Sequence, residues 1–467
     1  MGGILFKNLT VATCDEQDTV QEGVNVLIDR GRIVSIGPRL DISGELASPE
    51  QEIDGTGCIA VPGLINGHHH LYQTLTRGLR AVQDVPLFDW LVGQYPIWAN
   101  LSGDMVYTSA LVGLAELALS GATTVSDMFY VFPRDSDVRL DRVIQAAQDL
   151  GVRVHAGRGS MSRGKSKGGL PPDEVVQEPD EILADTERLV KDYHDPEPFA
   201  MTRVDVMPCS PFSVTPELMR DSLAFARSAG LLCQTHLAET LDEERFCLET
   251  VGMRPLAYME QLGWLGPDVS FAHGIHLDAN EVALCGQTGT SVVHCPSSNL
   301  RLSSGIAPVA DLLAAGAPVG LGVDGSSSND GGSLLAEARM AMLVGRLKSG
   351  PGYSARQALG LATREGARLL RRPELGTLAP GMAADLAIFD LDRVEYAGAA
   401  AHDPLGALLL CQPTAPRYVV CAGRIIVADG RLVTIDIERI VAHHNKLARQ
   451  LVDFPVMGAG TEAGATR

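Results

Sequence analysis

The sequence predicts an α/β protein: a (β/α)8 barrel of the TIM type, carrying a small β-sandwich built from both ends of the chain. Three observations predict it. Eight short apolar runs alternate with segments of helical periodicity through the middle of the 467 residues. Turn-punctuated, β-rich stretches stand near both ends, at 4–37 and 381–433. Polar and ionisable residues close the apolar runs, where a barrel of this kind does its chemistry.

The elements follow in chain order. "ILFKNLTVATCD" and "VNVLIDRGRIVSIG" read as strands, the second folded into a hairpin at Asp29-Arg30-Gly31. The barrel strands are read at "CIAVPGLI", "ATTVSDM", "VRVHAGRG", "RVDVMPCS", "LLCQTHLAE", "VSFAHGIHL", "TSVVHCPSS" and "PVGLGVDGS". Between them, "MVYTSALVGLAELALSG", "ELMRDSLAFARSAG" and "VADLLAAGA" place apolar residues three to four apart and run into Gly, as helices do. "GMAADLAIFDLD" and "RYVVCAGRIIVADGRLV" return to β pattern. The expected organisation is therefore 1–60 with 376–440 as the β-sandwich, 61–375 as the barrel, and 441–467 as a C-terminal helix with a mobile tail.

Composition bounds the function. With 45% hydrophobic and 20% charged residues the chain buries a large interior, and its length exceeds one ordinary core. A formal net charge of -19 opposes a phosphate backbone, so no nucleic-acid polymer is expected as a partner. Nine cysteines, odd in number and without a CxxC pair, suggest neither a disulfide framework nor a zinc ribbon, and fit the cytoplasm. No signal segment, membrane span or myristoylation signal is read, Phe6 standing where that signal needs Ser or Thr.

Three of the 12 histidines are consecutive, in "NGHHHLYQT", directly after an apolar run. Alternate side chains of an extended strand share a face, so His68 and His70 can chelate one divalent ion while His69 packs or supports. His236 and Asp324, both at strand ends, are the candidates for a third and a fourth ligand. Three imidazoles and a carboxylate, with a position left for water, suit catalytic Zn²⁺ or Fe²⁺. Glu239, three residues beyond His236, is the candidate proton carrier; Asp324 can take the water's proton, and His273 can orient it. Asp127, Arg158, Cys209 and His294 also close strands. A lone strand-end histidine is commonly structural; the joint occurrence points to chemistry. No GxSxG or thiol-enzyme motif is present.

"PGLINGHHHL", "THLAE", "AHGIHL", "HCPSSNLRLSSGIAPV", "GLGVDGSSSNDG" and "LGTLAPGMAADLAIFDLD" resemble the amidohydrolase superfamily, in its cytosine/guanine deaminase and chlorohydrolase branch. The resemblance runs from about residue 4 to 433. It implies a single metal held by His68, His70, His236 and Asp324, catalytic roles for Glu239 and His273, no carbamylated lysine, and a homo-oligomer. Within the branch, "HLYQTLTRGL", "LFDWL", "MSRGKSKGGLPPDEVVQ" and "RLVKDYHDPEPFAM" are most similar to 8-oxoguanine deaminases, with hydroxytriazine hydrolases next. The retained Asp324 favours hydrolytic deamination of an oxo-substituted heterocycle, and the loops' resemblance implies a small oxidised purine such as 8-oxoguanine; hydroxytriazine, guanine and pterin substrates are the alternatives.

Smaller features complete the expectations. Gln73, Trp90, Cys209, Glu239 and His294 are the candidates to contact substrate, Trp90 as an apolar wall, and Lys165 to reach a substrate oxygen. "GGLPPDE" lacks the ending of a phosphate loop and reads as a lid. "GSSSNDGG" reads as a turn supporting the metal, and "LFDWLVGQYPIWANL" as a surface for subunit contact or a cap on the pocket.

Overall fold

The computed structural model describes residues 3–40 and 49–453; the expected mobile tail lies outside the described residues. In chain order the strands are β1 (Ile4–Ala12), β2 (Val20–Asp29), β3 (Arg32–Gly37), β4 (Gln51–Asp54), β5 (Cys58–Pro62), β6 (Leu64–Asn66) and β7 (His69–His70). Then come β8 (Ala122–Phe129), β9 (Arg153–Ser160), β10 (Thr202–Pro208), β11 (Cys233–Leu237), β12 (Val269–His273), β13 (Ser291–His294), β14 (Val319–Leu321) and β15 (Asp324–Gly325). The last four are β16 (Leu386–Asp390), β17 (Tyr418–Cys421), β18 (Arg424–Ala428) and β19 (Arg431–Leu432).

Eight parallel strands form the barrel in the order β14-β13-β12-β11-β10-β9-β8-β6. Its ring closes where β6 meets β14, through Gly67 N–H on Leu321 O at 2.8 Å and Asp324 N–H on His68 O at 3.1 Å. Just above, β7 pairs with β15, setting His69 opposite Asp324 and His70 opposite Gly325. A Cβ on Gly322 would lie 2.9 Å from that of His68, so the seam requires glycine there. Two of the expected runs are thereby divided. "CIAVPGLI" is β5 of the other sheet followed by β6 of the barrel, and "PVGLGVDGS" is β14 followed by β15.

Strands from both ends form one nine-stranded sheet, ordered β19-β18-β17-β16-β5-β1-β2-β3 with β4 beside β1. The sheet curls until Phe6 stands edge-on to Tyr418 at 5.9 Å, so its two halves close over a common core as a sandwich does. Residues alternate between two cores with the strand period of two: Leu386 and Ile388 enter the sheet's own core, Ala387 and Phe389 the barrel-side core. The Arg30-Gly31 hairpin is as read, with positive φ at both residues (47° and 76°), the geometry of a two-residue primed turn. β5 runs to Pro62, two residues beyond the expected boundary, and the C-terminal helix is Ile437–Asp453, packed on the barrel helix Gly103–Ala118.

Barrel and sheet are joined by a buried ion pair. Arg153 of β9 donates from Nε and Nη2 to the two oxygens of Asp385 at 2.8 and 3.0 Å, and Asp385 Oδ1 also accepts from Ala422 N–H at 2.8 Å. Asp385→Ala leaves the guanidinium buried without its counter-ion, and stability is expected to fall by about 3–5 kcal/mol. Urea unfolding of wild type and variant measures this; a loss below roughly 1 kcal/mol, the scale of an exposed pair, would refute it.

Candidate active site

Three imidazoles and a carboxylate converge at the barrel mouth: His68, His70, His236 and Asp324, with one ligand atom from each within 4.8 Å of the others. The chain orients every ring from behind. His68 Nδ1 meets Gln234 Oε1 at 2.6 Å, His70 Nδ1 meets Met128 O at 2.8 Å, and His236 Nδ1 meets Cys209 O at 2.6 Å. All three partners are acceptors, so each Nδ1 carries the proton and each Nε2 presents a lone pair inward.

Those lone pairs crowd one another. His70 Nε2 lies 3.0 Å from His236 Nε2, both lie near Asp324, and His68 Nε2 is buried without a hydrogen-bond partner. Asp324 Oδ1 stands 3.4 Å from the Nε2 atoms of both His68 and His70, while Oδ2 accepts from Ser298 Oγ at 2.5 Å and Ser328 Oγ at 3.1 Å. Facing acceptors repel unless a cation lies between them, so the donor set fits a divalent ion. Protonation states agree with that. Burial, then the neighbouring His68, pushes His70 down to about 3, and burial holds His236 well below the usual imidazole range. For Asp324 burial acts upward, but the His68 contact and the surrounding imidazoles outweigh it and keep the carboxylate ionised.

Beside this cluster sit two further groups. Glu239 is buried with Oε1 unpartnered, and burial, then Asp324, pushes its carboxyl up to about 8, so it holds a proton at neutral pH. Its Oε2 lies 3.6 Å from His273 Nε2, and His273 Nδ1 is tied to Asn299 Oδ1 at 2.8 Å. The loop bearing Glu239 is gripped by Glu243, whose carboxyl oxygens accept from Ala238 N–H at 3.0 Å and Glu239 N–H at 2.9 Å. Ala238, His273 and Asp324 all have positive φ (52°, 75° and 62°), an uncommon backbone region for such residues that concentrates at functional sites.

The cavity over the cluster is walled by Leu87, Trp90, Leu91, Phe212 and Leu302, with Gln73, Tyr95, Tyr130 and Cys209 completing it. Its cover is the helix Leu87–Trp98, held down by Trp90 Nε1–H on Ser327 O at 3.2 Å and by Gln94 on the Ser327 hydroxyl. "LFDWLVGQYPIWANL" therefore caps the pocket. Gln73 Oε1 is buried and unpartnered, and a Cβ on Gly325 would lie 1.8 Å from it, so glycine makes room for this side chain.

A family model described as the Amidohydrolase family matches residues 59–426. The chain belongs to that family. It is 46% identical over 429 residues to 8-oxoguanine deaminase of Pseudomonas aeruginosa, covering 91% of this chain and 94% of that protein. It is 40% identical to hydroxydechloroatrazine ethylaminohydrolase of a Pseudomonas species over 84% of each chain. Among solved structures, the atrazine chlorohydrolase of Arthrobacter aurescens complexed with zinc superposes with a TM-score of 0.90 at 37% identity, over 95% of this chain and all of that one.

Within this amidohydrolase the expected residues separate into two groups. His68, His70, His236, Asp324, Glu239, His273, Gln73, Trp90 and Cys209 meet at the mouth. His294 does not line the cavity; it is buried with Nδ1 unpartnered. Arg158 turns away from it, bonding Asp185 at 2.7 Å and Gln177 at 2.8 Å, with its guanidinium 3.8 Å over the Phe132 ring. Asp127 accepts from Leu71 N–H at 2.8 Å and so steadies the chain just after His70. Lys165 is exposed, and the loop expected as a lid supplies no residue to the cavity. Tyr95, Gln234, Glu243, Ser298, Asn299 and Ser328 escaped individual notice in the sequence. Three stretches already singled out contain four of them: "GSSSNDGG", read as a supporting turn, holds Ser328; "LFDWLVGQYPIWANL", read as a cap or contact surface, holds Tyr95; and "HCPSSNLRLSSGIAPV" holds Ser298 and Asn299.

Proposed function

We propose that this amidohydrolase converts 8-oxoguanine and water to urate and ammonia, using one zinc ion held by His68, His70, His236 and Asp324. The observation that supports the reaction class is a buried, unpartnered Glu239 carboxyl beside inward-facing ligands; the extent of likeness to 8-oxoguanine deaminase supports the substrate. A divalent ion in that set supplies a Lewis acid that lowers the pKa of water.

The chain's own groups do the rest. The apolar wall of Trp90, Leu87, Leu91, Phe212 and Leu302 takes the ring faces, and Gln73 Oε1 accepts from a ring N–H. Glu239 gives its proton to the ring nitrogen next to the amino-bearing carbon, making that carbon a better electrophile. Asp324 accepts a proton from the water, Ser298 and Ser328 holding its carboxylate in place. His273, tied by Asn299, presents Nε2 toward Glu239 and fixes its orientation. The water oxygen bonds to carbon and the exocyclic C–N bond breaks; one water hydrogen, carried by Asp324, leaves with the amine as ammonia, and the other returns to Glu239 and restores its carboxyl.

The hydroxytriazine reading draws support from the ethylaminohydrolase relative and the triazine structure. Ammonia release by metal-loaded protein from 8-oxoguanine, guanine, isocytosine, pterins and hydroxytriazines separates the two. Fastest turnover is expected with 8-oxoguanine. No turnover of any oxopurine would refute the proposal, and preference for N-alkylamino triazines would establish the second reading. Elemental analysis decides between zinc and iron. All nine cysteines are free thiols, eight of them buried, which supports a reducing compartment such as the cytoplasm. No described helix is long and apolar enough to cross a membrane.

A further inference from the structure

We propose that Tyr95 recognises an oxo group at the end of the heterocycle remote from the reacting carbon, and so sets the preference for 8-oxoguanine over guanine. This rests on the deaminase reading above.

Tyr95 lines the same cavity as the ligand cluster and is 1% exposed, yet its hydroxyl has no protein partner. Packing accounts for the ring, which stands edge-on to Trp98 with centroids 5.8 Å apart. It does not account for the oxygen. Phenylalanine would fill the same space, and an unpaired hydroxyl in a dry site is a cost to the fold. Burial, then Cys209 and Tyr72, raises the phenol's pKa well above its usual value, so the group is a neutral O–H donor suited to a carbonyl oxygen.

Its position within the cavity selects which carbonyl. The hydroxyl bonds to none of His70, His236, Glu239, His273 or Asp324, and the ionisable groups close enough to act on it are Cys209 and Tyr72, not Glu239 or Asp324, so it serves the part of the cavity away from those two carboxyls. In a purine losing its amino group from C2, the exocyclic oxygen farthest from that carbon is the one on C8. Tyr95 is also held in register with the metal ligands. Its helix is tethered through Trp90 and Gln94 to Ser327, three residues beyond Asp324. A donor placed this way rejects the analogue that lacks the acceptor, because the donor is then buried unpaired.

The test is steady-state kinetics of metal-loaded wild type and Tyr95→Phe with 8-oxoguanine and guanine, guanine being measured as a competitive inhibitor if it is not turned over. For 8-oxoguanine, kcat/KM is expected to fall about 10-fold, chiefly through KM, while guanine changes by less than about 2-fold. Tm is expected to hold or rise. An unchanged ratio between the two substrates overturns the inference, whether both fall together or neither moves. So does a lowered Tm, which would show the hydroxyl bonded within the fold. Wild type that turns over no oxopurine overturns this inference and the deaminase reading together; wild type that prefers 8-oxoguanine with a ratio untouched by Tyr95→Phe overturns this inference alone.

Discussion

Glu239→Gln is expected to keep its metal and lose roughly 10²- to 10⁴-fold in rate, the usual worth of a positioned general acid. That is about 2.7 to 5.4 kcal/mol of transition-state stabilisation. The amide has nearly the shape of the carboxyl and preserves the two backbone bonds from Glu243, which reach Ala238 and Glu239 through their N–H groups alone. What it loses is the acidic proton that burial, then Asp324, favours on this carboxyl. Because Glu239 lies outside the ligand set, metal content is expected to stay at the wild-type value. Single-turnover rate and elemental analysis on one preparation check both halves. A variant stripped of metal, or one within a few-fold of wild-type rate, would remove Glu239 from the role proposed.

His68→Ala is expected to lose the metal, and with it all turnover. This imidazole is buried, its Nδ1 is spent on Gln234, and its Nε2 has no hydrogen-bond partner and faces Asp324 Oδ1 at 3.4 Å, so it is directed at the place where an ion would be held. Alanine leaves two imidazoles and one carboxylate, an incomplete set in a site where even the groups behind the ligands are worth about 10- to 100-fold in affinity. Asp324→Asn changes two things at once, because the same carboxylate ligates and accepts the water's proton. Weaker metal retention and near-complete loss of turnover at saturating zinc are expected of it. Metal content after dialysis against a chelator, compared across wild type, His68→Ala and Asp324→Asn, measures these effects. Full occupancy in His68→Ala would overturn the ligand assignment.

The legible part of the site was what local chemistry writes into adjacent residues. Two histidines at i and i+2 share a face whatever the rest of the chain does, and a glutamate three residues past a strand-end histidine stands near it without joining it. His294 and Arg158 obeyed the same strand-end pattern and yet stand outside the cavity lining. A strand-end position says that a side chain is near the mouth in sequence, while its direction is set by neighbours such as Asp185, Gln177 and Phe132, which no local window contains. The cover of the pocket was open for the same reason. The glycine-rich loop had lid composition, but it supplies nothing to the cavity, and the aromatic helix Leu87–Trp98 lies over it.

The residues along the chain already carried the barrel, the sheet shared between the two ends, the turn at Arg30-Gly31 and the candidates for the four ligands. Each follows from residue type and short-range periodicity, because backbone geometry and burial preferences act over a few residues. The tertiary structure alone set the closure of the ring beside the cluster of three imidazoles and a carboxylate, with His69 paired to Asp324 across more than half of the chain. It alone tied three Nδ1 atoms to Gln234, Met128 and Cys209, and so turned every lone pair inward. It alone made Tyr95 part of the pocket lining and left its buried hydroxyl without a protein partner. These are matters of direction between groups distant in sequence. Direction is fixed by packing and by hydrogen bonds that exist only once the whole barrel has closed.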